Sequence, residues 1–229
     1  MPPMTQAQFI RRAIKPAVFV GALVPFALLV RDAFGGGLGA NPVEEITHRT
    51  GITALTLLVL TLAVTPLRAL TGIASIVLLR RMVGLFAFFY VTLHFLTYLF
   101  DQYPLSLETV VDDVAKRAYI TVGFASFLLL IPLALTSTKG WVKRLGGARW
   151  QHLHRLVYVA AGGAVVHFLW KVKAEEARPV VYGLIVVALL GFRLWALRRP
   201  RRARSRRRSS VEQPSSAPSA SSEEPSPVR

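Results

Sequence analysis

The chain contains no cysteine. That absence excludes disulfides, covalent c-type haem attachment through a CxxCH motif, and iron–sulfur clusters held by thiolates. Acid is scarce as well: 12 Asp and Glu stand against 28 Lys and Arg, a formal net charge of +16 over 229 residues. No segment is long enough for a soluble flavin or nicotinamide domain. No GxGxxG follows a strand pattern, and there is no phosphate loop. What fills the chain is apolar: 53% of the residues are hydrophobic and the mean hydropathy is +0.45.

The apolar residues collect in six runs, roughly 14–30, 51–70, 82–100, 118–135, 153–170 and 179–197. Most have the length one helix needs to cross a bilayer, about 20 residues. The predicted fold is therefore all-α, an integral membrane bundle of six transmembrane helices. Pro66 and Pro132 fall near the ends of two runs and mark kinks or exits. The first run is followed by RDAFGGGLGANP rather than a small-residue cleavage site, so it reads as a span and not as a removable signal. Residues 1–13 form a short polar lead, residues 14–197 the six-helix domain, and residues 198–229 a basic tail. Residues 31–48 read as a loop, residues 101–117 as the longest outer loop with room for a short surface helix, and residues 136–152 as a basic inner loop. The tail has almost no apolar content and reads as disordered, its arginines suited to anionic lipid headgroups.

The distribution of charge argues for a membrane and against nucleic acid. Cations cluster at alternate links: Arg11, Arg12 and Lys15; Arg68, Arg80 and Arg81; Lys139, Lys143, Arg144 and Arg149; then Arg198 onward. The intervening links carry the acids: Glu44 and Glu45; Asp101, Glu108, Asp112 and Asp113; Glu175 and Glu176, with Lys116, Arg117, Lys171, Lys173 and Arg178 as minority positives there. The positive-inside rule then places both termini in the cytoplasm, as an even number of spans requires. Trp141, Trp150, Trp170, Tyr98 and Tyr103 lie near the ends of runs and fit an aromatic belt.

Three histidines stand inside these runs. His94 lies in the third, while His154 and His167 share the fifth, thirteen residues or roughly 20 Å of helix apart. Ionisable residues within a membrane are costly and point to function, and histidine is a common axial ligand of haem iron. On the topology above His94 and His167 reach the same depth near the outer face. Two imidazoles at one depth on two helices can grip one iron from opposite sides. The plainer alternative is a histidine hydrogen-bonded to a neighbouring helix. His154 lies at the inner end of its span, rotated by about 220° from His167 on an ideal helix. The positions on the third run that match its depth are Arg80 and Arg81, so Arg80 is the candidate to approach an inner haem or its propionates. His152 reads as interfacial, and His48 as a residue at the outer mouth of the second span. Gly84 and Gly162–Gly163 would leave room beside the histidines or serve close helix packing.

RRMVGLFAFFYVTLHFLTYLFDQ, LALTSTKGWVKRLG and RWQHLHRLVYVAAGGAVVHFLWKVK closely resemble the haem-binding membrane subunits of periplasmic methionine-sulfoxide reductases, the MsrQ or YedZ family, over most of residues 5–197. These are relatives of the ferric reductase and NADPH oxidase transmembrane domains. The resemblance implies a bacterial inner-membrane, multi-pass, non-catalytic redox subunit. It would carry electrons from membrane quinones, or from a cytosolic flavin reductase, to a periplasmic molybdopterin partner of the MsrP type that repairs oxidised proteins. It implies one or two haem b groups and FMN. The family's ligand histidines match His94, His154 and His167. With no covalent attachment available, any haem is b-type; electrons are expected to enter near His154 and leave between His94 and His167. A stand-alone ferric or cupric reductase, and a transporter or scaffold with structural histidines, are the alternative readings.

Overall fold

The computed structural model describes residues 5–101, 107–172 and 176–198. Tyr103, Lys173, Glu175 and the tail beyond Arg198 lie outside them. The chain runs as α1 (Gln6–Phe34), α2 (Pro42–Thr71), α3 (Val77–Asp101), α4 (Leu107–Lys116), α5 (Ala118–Leu135), α6 (Lys139–Leu145), α7 (Gly147–Leu153), α8 (Leu156–Lys171) and α9 (Arg178–Arg198). Among the described residues there is no strand, and six helical segments are long and apolar enough to cross a membrane.

The helices outrun the apolar runs that announce them. Thr5 and Gln8 cap each other's backbone at the start of α1, which is therefore helical well before residue 14. A π turn at Ile10–Ile14 precedes Pro16, whose missing N–H interrupts the ladder. α2 begins nine residues before its apolar run. The Asn41 side chain accepts from the Glu44 N–H at 3.3 Å, Pro42 needs no partner at N1, and Glu44 and Glu45 complement the helix N-terminus. The expected 31–48 loop thus shrinks to a turn through Gly36 and Gly39, at φ of 72° and 73°. α2 also continues through Pro66 and stops at Gly72, whose φ of 70° is the usual left-handed terminator. Residues 101–117 do hold a short helix, α4. The basic 136–152 stretch is mostly helical, as α6 and α7.

Two hairpins, α2–α3 and α5–α8, pack tightly within themselves. Their shared core is Leu58, Leu62, Ala87, Leu130, Leu133, Val157, Ala160 and Ala161, the last two completely buried. Small residues permit this approach: Gly84 faces Thr61, and Gly163 faces Ser126. Phe88, Phe127, Phe95 and Phe124 form a continuous row of ring contacts along the α3–α5 seam. Large apolar side chains such as Val20, Val159, Leu184 and Val187 stay exposed on the outside of the bundle, as surfaces facing lipid do.

α1 is joined to this core by a polar wedge. Tyr90 of α3 is 1% exposed. Its hydroxyl donates to the Ala22 carbonyl at 2.7 Å and accepts from the Phe26 N–H at 3.0 Å. An unbroken helix would pair those two backbone groups with each other. Pro25 stands between them, and Tyr90 fills the opening at the proline. At the helix end, Arg49 of α2 reaches Asp32 of α1 at 2.6 Å and Glu45 at 2.6 Å. Tyr90→Phe strands a buried donor and a buried acceptor. It is expected to destabilise the detergent-solubilised protein by about 1–3 kcal/mol, read as a lowered Tm. An unchanged Tm would show that α1 does not depend on the wedge.

Candidate functional site

The backbones of α3 and α8 lie farther from each other than either lies from its hairpin partner. Two side chains cross that gap. The imidazoles of His94 and His167 stand with ring centres 6.0 Å apart and planes at 85°.

Each ring is seated by the same device on the partner helix of its own hairpin. His94 Nδ1 lies 2.8 Å from the Thr47 carbonyl on α2, and His167 Nδ1 lies 2.7 Å from the Tyr119 carbonyl on α5. A carbonyl only accepts, so each Nδ1 carries the proton and each Nε2 keeps its lone pair. Four residues beyond each carbonyl is a glycine. A Cβ on Gly51 would sit 3.0 Å from two ring atoms of His94, and one on Gly123 would sit 2.6 Å from His167 Nδ1. One turn of helix therefore supplies both the acceptor and the clearance. The glycines singled out from sequence act elsewhere. Gly84 and Gly163 pack helices, and a methyl on Gly162 would meet nothing.

A carbonyl on Nδ1 is the arrangement that fixes tautomer and direction in a metal-ligating histidine. Two imidazoles on opposite sides of one metal, each about 2 Å from it, place their ring centres roughly 6 Å apart. Among the described residues no group of three or more His, Cys, Asp and Glu could hold a metal ion. A metal held by this pair must bring its other ligands with it, as porphyrin iron does.

His154 lies at a break. α7 ends at Leu153 and α8 starts at Leu156, so the fifth span is not one continuous rod and the ideal-helix angle between His154 and His167 does not apply. Its ring stacks on Trp150 at 3.9 Å, and Nδ1 lies 3.1 Å from the Trp150 carbonyl. Trp150 is itself fixed by a 2.9 Å bond from Nε1 to the Thr136 carbonyl. His154 Nε2 is buried and, among the described residues, has no hydrogen-bond partner. Leaving such an atom unpaired costs about 1–3 kcal/mol, which a ligand would remove.

Arg80 lies in this same region, close to His154 and Tyr158. Arg193 of α9, an arginine inside the last apolar run, lies 4.7 Å over the Tyr158 ring and 3.4 Å from the Thr65 hydroxyl. Among the described residues neither guanidinium has a carboxylate partner. Two unpaired cations beside an orphaned imidazole nitrogen suit an anionic ligand. His48 and His152 take no part in either cluster; His152 is exposed and His48 half-buried on α2.

Residues 50–165 match the family of ferric reductase like transmembrane components. The chain is 50% identical over 186 residues to the protein-methionine-sulfoxide reductase heme-binding subunit MsrQ of Herminiimonas arsenicoxydans, covering 80% of this chain and 85% of that one. It is 50% identical over 186 residues to the MsrQ of Ralstonia nicotianae, covering 80% and 86%. Against that of Xanthomonas axonopodis pv. citri it is 47% identical over 201 residues, covering 85% and 92%. The chain belongs to the MsrQ family. No solved structure matches it.

Membership and six apolar helices make this a multi-pass bacterial membrane protein. The matched 50–165 segment holds Gly51, His94, Gly123 and His154 and stops just short of His167. Gly123→Ala should force His167 off its carbonyl and lower stability by about 1–3 kcal/mol. Gly162→Ala, which meets no atom, should be neutral or stabilising by up to about 1 kcal/mol. Parallel thermal melts in detergent distinguish them; equal Tm values for the two variants would show that the Gly123 clearance is unimportant.

Proposed function

We propose that this chain is the haem-binding, electron-transferring membrane subunit of a protein-methionine-sulfoxide reductase, and that His94 and His167 are the two axial ligands of one b-type haem. The 6.0 Å spacing of two carbonyl-anchored imidazoles carries this reading. The heme-binding name of relatives at 50% identity supports it. His154, with Arg80 beside it, is the candidate ligand set for a second, inner haem, its propionates meeting Arg80 and Arg193. The haem supplies one-electron storage at each site, and the protein tunes it through ligand, burial and charge.

The chain's own residues do the positioning. Thr47 and Tyr119 hold Nδ1–H and aim each Nε2 lone pair, while Gly51 and Gly123 leave space for the rings. The buried core and phenylalanine seam keep water from the interior. The cation-rich links support cytoplasmic termini, with the His94–His167 pair toward the periplasm and His154 toward the cytoplasm. Quinol is the electron donor and a periplasmic molybdopterin protein of the MsrP type the acceptor. Residues 14–197 carry this function.

Full-length protein with saturating haem is expected to show a b-type reduced-minus-oxidised spectrum. His94→Ala, His167→Ala and the double variant should each lose the same single haem equivalent in a pyridine haemochrome assay. His154→Ala should lose a different one. Full haem content in the double variant would sink the ligand assignment.

A further inference from the structure

A second feature lies beside the His94–His167 pair. Ile52, Thr56, Val59 and Leu60 of α2 face Val181, Tyr182 and Ile185 of α9 across a groove of about 630 Å³, with Arg178 at its mouth. That size suits a small-molecule headgroup. Leu60, Val181 and Ile185 are 50%, 51% and 39% exposed on the outside of the bundle, so the rim faces hydrocarbon and admits ligands laterally from lipid. Tyr182 is one helical turn beyond Arg178, about 6 Å into the span, where the headgroup of a lipid-soluble ligand sits.

The polar atoms of the groove select for a donor. Thr56 Oγ1 lies 2.8 Å from the Ile52 carbonyl, to which it donates in the usual helical manner. Thr56 and Tyr182 hydroxyls are 2.6 Å apart. With the Thr56 proton committed, Tyr182 donates to Thr56, and the tyrosine oxygen keeps its lone pairs for an O–H entering the groove. Ester and phosphate oxygens of a phospholipid cannot donate to it; the phenolic hydroxyl of a quinol can.

We propose that this α2–α9 groove binds an isoprenoid quinol by its ring hydroxyl at Tyr182, at the His94–His167 end of the bundle. The proposal rests on the electron-transfer reading above and moves electron entry away from His154. The groove touches the candidate haem site from two sides. Gly51, against the His94 ring, precedes groove residue Ile52. Phe168, next to His167, lies 6.4 Å from Tyr182, ring centre to ring centre. Oxidation of the bound quinol breaks its two O–H bonds and yields quinone. Its two electrons would leave one at a time, each to the b-type haem that His94 and His167 would hold, which must be reoxidised between them. The two protons go to water beside Arg178 and Glu176, which stand 3.7 Å apart at the mouth.

The test uses the full chain in lipid nanodiscs. With the haem-free protein, an aryl-azide ubiquinol analogue should label peptides containing residues 52–60 or 177–185, and excess decylubiquinol should displace it. Label elsewhere, or equal displacement by phosphatidylglycerol, overturns the groove as a quinol site. With haem loaded, stopped-flow reduction by decylubiquinol should slow about tenfold in Tyr182→Phe, the loss of one hydrogen bond. Leu60→Trp, which fills the groove from its lipid side, should slow it as well. Haem content and dithionite reduction should match wild type in both groove variants. Wild-type rates in both groove variants overturn the proposal. A wild-type protein that holds haem and is labelled in the groove but is not reduced by decylubiquinol supports the site and refutes quinol as donor.

Discussion

Both central imidazoles hang from main-chain carbonyls, and the bundle is arranged so that those carbonyls stay in place. Thr47 lies in the first turns of α2, where a helix end is weakest, and it is there that Asn41, Pro42, Glu44 and the Arg49–Asp32 pair concentrate their support. Tyr119 lies in the first turn of α5, where the Thr121 hydroxyl donates to the Val114 carbonyl of α4 and binds the two helices together. The seats are therefore built at helix starts; that of α2 is reinforced by local capping, and both by contacts to the preceding element.

The repetition is informative. His94 and Thr47 are 47 residues apart, His167 and Tyr119 are 48, and each carbonyl is followed by glycine four residues later. The two hairpins thus solve one problem in one way, although their sequences show no clear repeat. A backbone acceptor needs no particular side chain, so the likeness is carried by a single glycine per hairpin and by the histidine itself. Where the hairpins meet, phenylalanines fill the seam and the helices stay apart, which leaves the imidazoles to span the space.

Much of this was legible before the coordinates. Six apolar runs of spanning length give six helices, because a bilayer tolerates little else. Counting residues from the cationic ends placed His94 and His167 at one depth, and they meet. The start of α2 was harder, since Glu44, Glu45 and His48 look like loop residues, although Asn41-Pro42 followed by two acids is a helix beginning. Gly51 and Gly123 carried no visible signal, because their role depends on which helices pair. Arg193 is a lone cation in an apolar run, but the arginine-rich end a few residues on masks it as part of a topology signal. The break at His154 and Arg155 has no proline or glycine to announce it. It accompanies the anchoring of Trp150 to Thr136, a tertiary contact that periodicity does not report.

A main-chain carbonyl has no titration within the physiological range, and it adds no net charge to the ring that leans on it. A carboxylate in the same place would make the imidazole a stronger donor and tie that strength to its own protonation. In the proposed reading, the driving force at the His94–His167 centre is thereby insulated from the acidity of the compartments on either side.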